Sequence, residues 1–268
     1  MLYVKNVSVT RYDDSGKSRK LFSGLDFSLN DGQLAVVLGD SGSGKTTLLD
    51  CIAGFIRPST ISSNKILKSY TEFIGNIFID EQDVTLLEPR HREVGMVMQK
   101  FTLYPHMSVK GNLEFPLKMR KVPKELREIK ILEVAKKLKI EDEIHKRVET
   151  ISGGQAQRVA IGKLILREPK VALFDEAFSN LDAPLRKELR NNVINDFLKK
   201  DKNCVIFVSH EVKDAMMANI IIVFISPEKS QSGNGTKHEI FTGNSPGEAW
   251  EAMRKSNVIE INEYVNTI

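Results

Sequence analysis

Five short apolar runs constrain this chain more than any other feature: QLAVVLG (33–39), EVGMVMQ (93–99), VALFDE (171–176), CVIFVSH (204–210) and NIIIVFI (219–225). None alternates as a strand with one wet face does. Each is bounded by segments long enough to hold a helix. Such runs suit parallel strands buried on both faces, which makes the chain α/β. Residues 1–31 read differently, with alternating apolar positions broken by the polar DDSGKSRK, as in strands joined by a loop.

Between Gln99 and Val171 the pattern is helical. VPKELREIKILEVAKKLKI sets Leu126, Ile129, Leu132, Val134, Leu138 and Ile140 near helical spacing among lysines and glutamates, and predicts an inserted helical subdomain. Ser59–Asn76 is polar without a firm period and is expected to be an extra surface loop. After Ser226 the chain turns Gly-, Ser- and Asn-rich, and SPGEAWEAMRK then predicts a helix started by proline with a serine cap. The expected division is a core of residues 1–98 and 157–226, a helical subdomain at 99–156 and a short tail at 227–268. There is no internal repeat.

The stretch GDSGSGKTT follows the first buried run and precedes the helical TTLLDCIAGF. It fits G-x-x-x-x-G-K-[ST] at Gly39, Gly44, Lys45 and Thr46. Glycines let successive N–H groups turn inward as an anion nest, and the following helix adds its positive end. Lys45 is placed to reach β- and γ-phosphate oxygens, and the Thr46 hydroxyl to ligate Mg²⁺. Asp40, Ser41, Gly42, Ser43 and Thr47 complete the nucleotide cradle.

A phosphate site of this kind needs acidic groups at the end of a neighbouring strand. VALFDE supplies Asp175 to orient the metal and Glu176 to polarise an attacking water. Two carboxylates after four apolar residues are costly to place without a cation. Gln99 and His210 also end apolar runs, where ligands of α/β sheets collect. Gln99 has an amide to bridge metal and water, and His210 a ring N–H for a phosphate oxygen.

This set resembles the nucleotide-binding subunit of an ABC transporter over residues 1 to about 226. In that family Gly39–Thr46 is the Walker A motif, Gln99 the Q-loop glutamine, ISGGQ (151–155) the signature, VALFDE the Walker B, SNLD (179–182) the D-loop and His210 the switch histidine. The resemblance implies a P-loop NTPase (RecA-like) core with an N-terminal antiparallel β subdomain, ATP and Mg²⁺ as ligands, and Tyr12 as the aromatic that stacks on adenine. It further implies that Ser152, Gly153, Gly154 and Gln155 bind the γ-phosphate held by a second chain, in a homodimer or with a paralogous subunit. GTPases would need an N-K-x-D guanine reader, which the sequence lacks.

HREVGMVMQKFTLYPHMSVKGNLEFPLKMRKVPKE and SNLDAPLRKELR resemble the maltose- and polyamine-type importer ATPases. Those pair with separate integral-membrane permease subunits and often a solute-binding protein. Phe101, Leu103, Tyr104 and Met107 are then expected to line the groove that takes a permease coupling helix. Ile151, Ala177, Asp40 and Gly111 depart from the family pattern without removing a catalytic group, so an active ATPase is expected. The tail is too short for the β-structured regulatory domain of those relatives. The alternative is a soluble non-transport ABC ATPase acting in cofactor assembly or translation.

Bulk properties exclude other classes. A net charge of +4 on 268 residues, 28% of them charged, gives no basic groove, and nucleic acid is not expected. Cys51 and Cys204 lie in apolar segments without metal or redox spacing and read as buried, reduced thiols. The N-terminus is no secretion signal, and the run Ile220–Ile225 is far below the ~20 residues of a membrane span. The expected place is the cytoplasm, peripheral on the inner membrane face through the permease.

Overall fold

The computed structural model describes residues 1–58, 70–100, 102–179, 181, 183–198, 203–225, 236–245 and 247–256. All five apolar runs form strands of one sheet: β3 (Leu34–Gly39), β6 (Val94–Val97), β7 (Val171–Asp175), β8 (Cys204–Val208) and β9 (Ile220–Ile225). They lie parallel in the order β9-β3-β8-β7-β6. Side chains of β3 alternate between two cores, Leu34, Val36 and Leu38 facing one and Ala35 and Val37 the other. Burial on both faces is why the runs carry no polar alternation.

One face of this sheet packs α1 (Lys45–Ala53) and a smaller antiparallel sheet. That sheet runs β2-β1-β4-β5, from β1 (Leu2–Tyr12), β2 (Ser18–Leu29), β4 (Tyr70–Ile79) and β5 (Gln82–Asp83). Arg92, buried, donates to the carbonyls of Cys51 and Ile52 and so holds the C-terminal end of α1. The expected loop Ser59–Asn76 is corrected from Tyr70 onward, where the chain is a strand paired along β1 from Tyr12↔Tyr70 to Leu2↔Ile79. Residues 59–69 lie outside the described residues. The period was hidden by a bulge: pairing shifts between Lys5 and Ser8. Gly75 there takes φ 110, and a Cβ on it would meet Asn6 O at 2.5 Å.

The other face carries α2 (Val109–Met119), α3 (Lys124–Lys137), α4 (Gly153–Arg167) and α5 (Ala183–Leu198). Helices α2, α3 and α4 meet at Gly162, where a Cβ would lie 2.7 Å from Leu113 Cδ2 and 3.2 Å from Leu138 Cδ1. The apolar face expected for α3 is only half right. Ile131, Val134, Ala135 and Leu138 are buried, at i, i+3, i+4 and i+7, whereas Leu126, Ile129 and Leu132 are about half exposed.

The segment expected as a tail extends the main sheet. Strand β10 (Lys237–Thr242) pairs antiparallel with β9, and α6 (Glu248–Arg254) buries Ala249, Trp250 and Met253 on the core. Ser245 does not cap α6 as expected. Gly247 occupies that position with φ 97, and Glu248 reaches back to Asn244 N and Ser245 Oγ instead. Cys51 and Cys204 are buried free thiols, and burial pushes both up from the ordinary thiol range. Among the described residues no helix is long and apolar enough to cross a membrane.

Candidate functional site

The loop between β3 and α1 is shaped by glycine. Gly39, Gly42 and Gly44 take φ 144, 74 and 109, and a Cβ on Gly39 would lie 2.5 Å from Phe224 O. Gly44 stands at the N-cap of α1 without a side-chain cap. The first-turn amides of Lys45, Thr46 and Thr47 therefore lack intrahelical acceptors and present a positive helix end. Lys45 is 5% exposed and folds back, its Nζ donating to Gly39 O at 2.8 Å and Asp40 O at 2.7 Å. Burial lowers its pKa, and the charges of Glu176, Asp175 and Asp40 oppose that shift.

Thr46, one residue on, donates its hydroxyl to Asp175 at 3.0 Å. Asp175 closes β7 with 3% exposure, and desolvation raises its carboxyl above the usual range, partly offset by the Thr46 hydrogen bond. A carboxylate and a hydroxyl held together in a dry corner, with the Gln99 amide nearby, form a hard oxygen set that fits Mg²⁺. Glu176 follows with φ 50, a backbone setting that L-residues rarely adopt and that turns its side chain off the strand direction. Its Oε2 accepts from Gln99 Nε2 at 3.2 Å, and its Oε1 lies 2.7 Å from His210 Nε2. The ends of three adjacent strands, β6, β7 and β8, thus converge on one carboxylate.

His210 is fixed from both sides. Ser209 N donates to Val37 O, and Ser209 Oγ bonds the buried Asp214, which Arg190 pairs in turn. On the other side Glu211 binds Arg186, whose second nitrogen donates to Leu181 O at 2.8 Å and Ser179 O at 3.2 Å. Sequence reasoning missed these two arginines of α5, because a lysine- and arginine-bearing helix reads as a solvated face. Asn180 and Asp182 of SNLD lie outside the described residues.

Beside the cradle is a recess of about 250 Å³. Ser41, Gly42, Gly44 and Lys45–Thr47 form one wall, Gln99 and Glu176 follow the ends of β6 and β7, and Arg11, Arg19 and Leu21 come from the antiparallel sheet. Tyr12 is not in that lining. It stacks on Tyr70 with ring centroids 4.4 Å apart and an interplanar angle of 10°, its hydroxyl 3.2 Å from Glu72.

The signature residues do not line this recess either. Ser152 caps α4, its Oγ accepting from Gln155 N at 3.2 Å while Gln155 Oε1 accepts from Ser152 N at 2.8 Å, a capping box. Gln155 Nε2 is anchored on Glu143 at 2.6 Å. The amides of Gly153 and Gly154 stay without intrahelical partners, and a Cβ on Gly153 would meet nothing within 4 Å. The helix start is left open on the surface.

A family model described as ABC transporter matches residues 22–179, more than half of the chain. The chain belongs to the ABC transporter family. Relatives of this family member include the sn-glycerol-3-phosphate import ATP-binding protein UgpC of Bordetella avium, 39% identical over 219 residues, which are 81% of this chain and 56% of that protein. The Brucella abortus protein of that name is 40% identical, with 81% and 58% covered, and that of Roseobacter denitrificans 41% identical, with 78% and 55% covered. The chain thus spans a little over half the length of these curated relatives. Among solved structures, the ATP-binding cassette MJ0796, in a dimeric post-hydrolysis state bound to ADP and Pi, aligns with a TM-score of 0.72 at 24% identity, covering 89% of this chain and 98% of that one. That likeness shows the P-loop ATPase cassette fold.

A second concavity, about 670 Å³, lies between β6 and helices α2 and α4, with Met96, Met98, Tyr104, Phe115, Met119 and Arg167 among its lining. Tyr104 lines it, covered by the Lys163 ammonium 4.4 Å above its ring. Leu103 and Met107 are not among its lining; Leu103 packs against the core, and Met107 N bonds back to Tyr104 O in a turn. Phe101 lies outside the described residues.

Proposed function

We propose that this chain is the ATP-hydrolysing subunit of an ABC importer, acting as a head-to-tail pair of identical or paralogous chains that drives solute through separate membrane permeases. The observation that carries this reading is Glu176, held between Gln99 and His210 beside the Thr46–Asp175 pair. The cradle amides and Lys45 bind the β- and γ-phosphates once nucleotide displaces the carbonyls that Lys45 now holds. Thr46, Asp175 and Gln99 would hold Mg²⁺, which would neutralise phosphate charge. Glu176 polarises the attacking water. His210 turns its ring N–H to a γ-phosphate oxygen, and the partner's open helix start at Ser152–Gly154 takes another.

Closing the pair completes each site and excludes water, so the nucleotide state sets the distance between two chains. The groove at Tyr104 and Phe115 receives a permease helix and passes that movement on, which keeps the chain peripheral at the inner membrane face. Choice of solute, and of any solute-binding protein, belongs to the permease. Affinity isolation from native membranes tests the assignment, together with phosphate release by the purified chain with ATP and Mg²⁺. Integral-membrane subunits and Mg²⁺-dependent release are expected. A purely soluble assembly would remove the transport role, and no release would remove the enzyme.

A further inference from the structure

Arg11 and Arg19 face each other across β1 and β2 in direct register, and both line the nucleotide recess. Like charges set opposite in an antiparallel pair are destabilising. The flanking pairs, Tyr12↔Ser18 and Thr10↔Lys20, avoid that conflict. Strand alternation puts Arg11 on the face of buried Val7 and Val9, toward α1, and sends Tyr12 to the opposite face beside Tyr70. Arg19 Nη2 reaches the carbonyl of Gly42 in the cradle at 3.3 Å. Neither guanidinium has a carboxylate within salt-bridge distance among the described residues, and Arg11 acts through its charge on Asp50 of α1. Most of their donors are therefore free, beside the uncapped helix start of α1.

We infer that Arg11 and Arg19 are nucleotide-binding residues that grip the α-phosphate side of the phosphate chain. The assignment to that end follows from the rest of the wall. Lys45 serves the β- and γ-oxygens, and Glu176 with Gln99 occupies the γ end, so the phosphate left for a second cationic clamp is the first. Guanidinium forks match phosphate oxygens in bidentate fashion, which lysine cannot do. A bound phosphate also resolves the opposed charges, so the pair is a feature for the loaded state that the empty strand tolerates. The inference rests on the ATP reading of this site and adds to it residues outside the motif set.

Equilibrium binding of ATP, ADP and GTP to the purified chain tests it, using Arg11→Gln, Arg19→Gln and the double substitution, with thermal melts of the nucleotide-free proteins. For the double variant, ATP and ADP affinity should weaken by the same factor, roughly tenfold, and GTP in proportion. The nucleotide-free melting temperature should stay level or rise, because an opposed pair of like charges is gone. Unchanged affinity overturns the inference. So does a loss that spares ADP, which would mean a γ-phosphate contact, a loss that spares GTP, which would mean a base contact, or a lowered melting temperature, which would mean a structural role. A parental chain that binds no nucleotide overturns the ATP reading itself, whereas parental binding matched by the variants overturns only the arginine pair.

Discussion

Glu176 and His210 meet at 2.7 Å, and Gln99 holds the other oxygen of the same carboxylate at 3.2 Å. The three side chains come from the ends of three adjacent parallel strands, so their geometry is set by the sheet. A carboxylate fixed on both oxygens before nucleotide arrives needs little reorganisation to present one of them to a water.

Glu176→Gln keeps the shape and removes the base. Turnover should fall on the order of 100-fold or more, while ATP binding persists and an ATP-held dimer accumulates. Phosphate release and size-exclusion chromatography with ATP read the two effects. Hydrolysis at the parental rate would take the base role away from Glu176.

Arg186 joins the loop after Glu176 to the residue after His210, through Ser179 O, Leu181 O and Glu211. It touches no position where substrate binds, so its effect is through placement. Arg186→Ala should lower turnover by roughly 10- to 100-fold, as small misplacements of reacting groups do. Nucleotide affinity should change far less, and Arg186→Lys should rescue only part, lacking the fork. Equal losses in turnover and affinity would show that the whole site had collapsed rather than shifted.

Asp50 lies one turn beyond Thr46 on α1, and burial raises its carboxyl to about 6, with Asp175 adding to the rise and the charge of Arg11 opposing it. Its folded pKa therefore lies above the unfolded 3.8, and the fold favours the protonated form. The stabilisation is present below about pH 4 and is lost as pH rises through about 6. Asp50→Asn should thus be more stable than the parent above pH 6, by roughly 1–2 kcal/mol after allowing for partial exposure. The two should converge near pH 4. Thermal melts of both proteins across that range decide it, and a constant offset at every pH would exclude Asp50 as the titrating group.

How much of this was legible in the chain differs element by element. The parallel strands declared themselves because both faces are buried, as in Val36 and Val37 of β3. Strand β4 did not, since Gly75 and its bulge break the alternation and Tyr70 and Glu72 face outward. On α3 two apolar stripes compete, and only packing against Gly162 of α4 selects the one through Val134 and Leu138. Glycine, lysine and strand-end acids point to phosphate through local chemistry. Arg11, Arg19 and Arg186 act through register and tertiary contact, which no local window contains.

Ser152 has two separable roles, and substitutions can part them. As N-cap of α4 it satisfies Gln155 N, so Ser152→Ala should cost about 1 kcal/mol of stability. As part of an open helix start it is expected to face the phosphate of a second chain. Ser152→Arg puts a bulky cation where two surfaces must close. It should leave ATP binding to the monomer near the parental value and abolish ATP-dependent dimerisation in the Glu176→Gln background. If Ser152→Arg still formed the ATP-held dimer, the helix start of α4 would lie outside the interface, and the two sites would have to be completed by other residues.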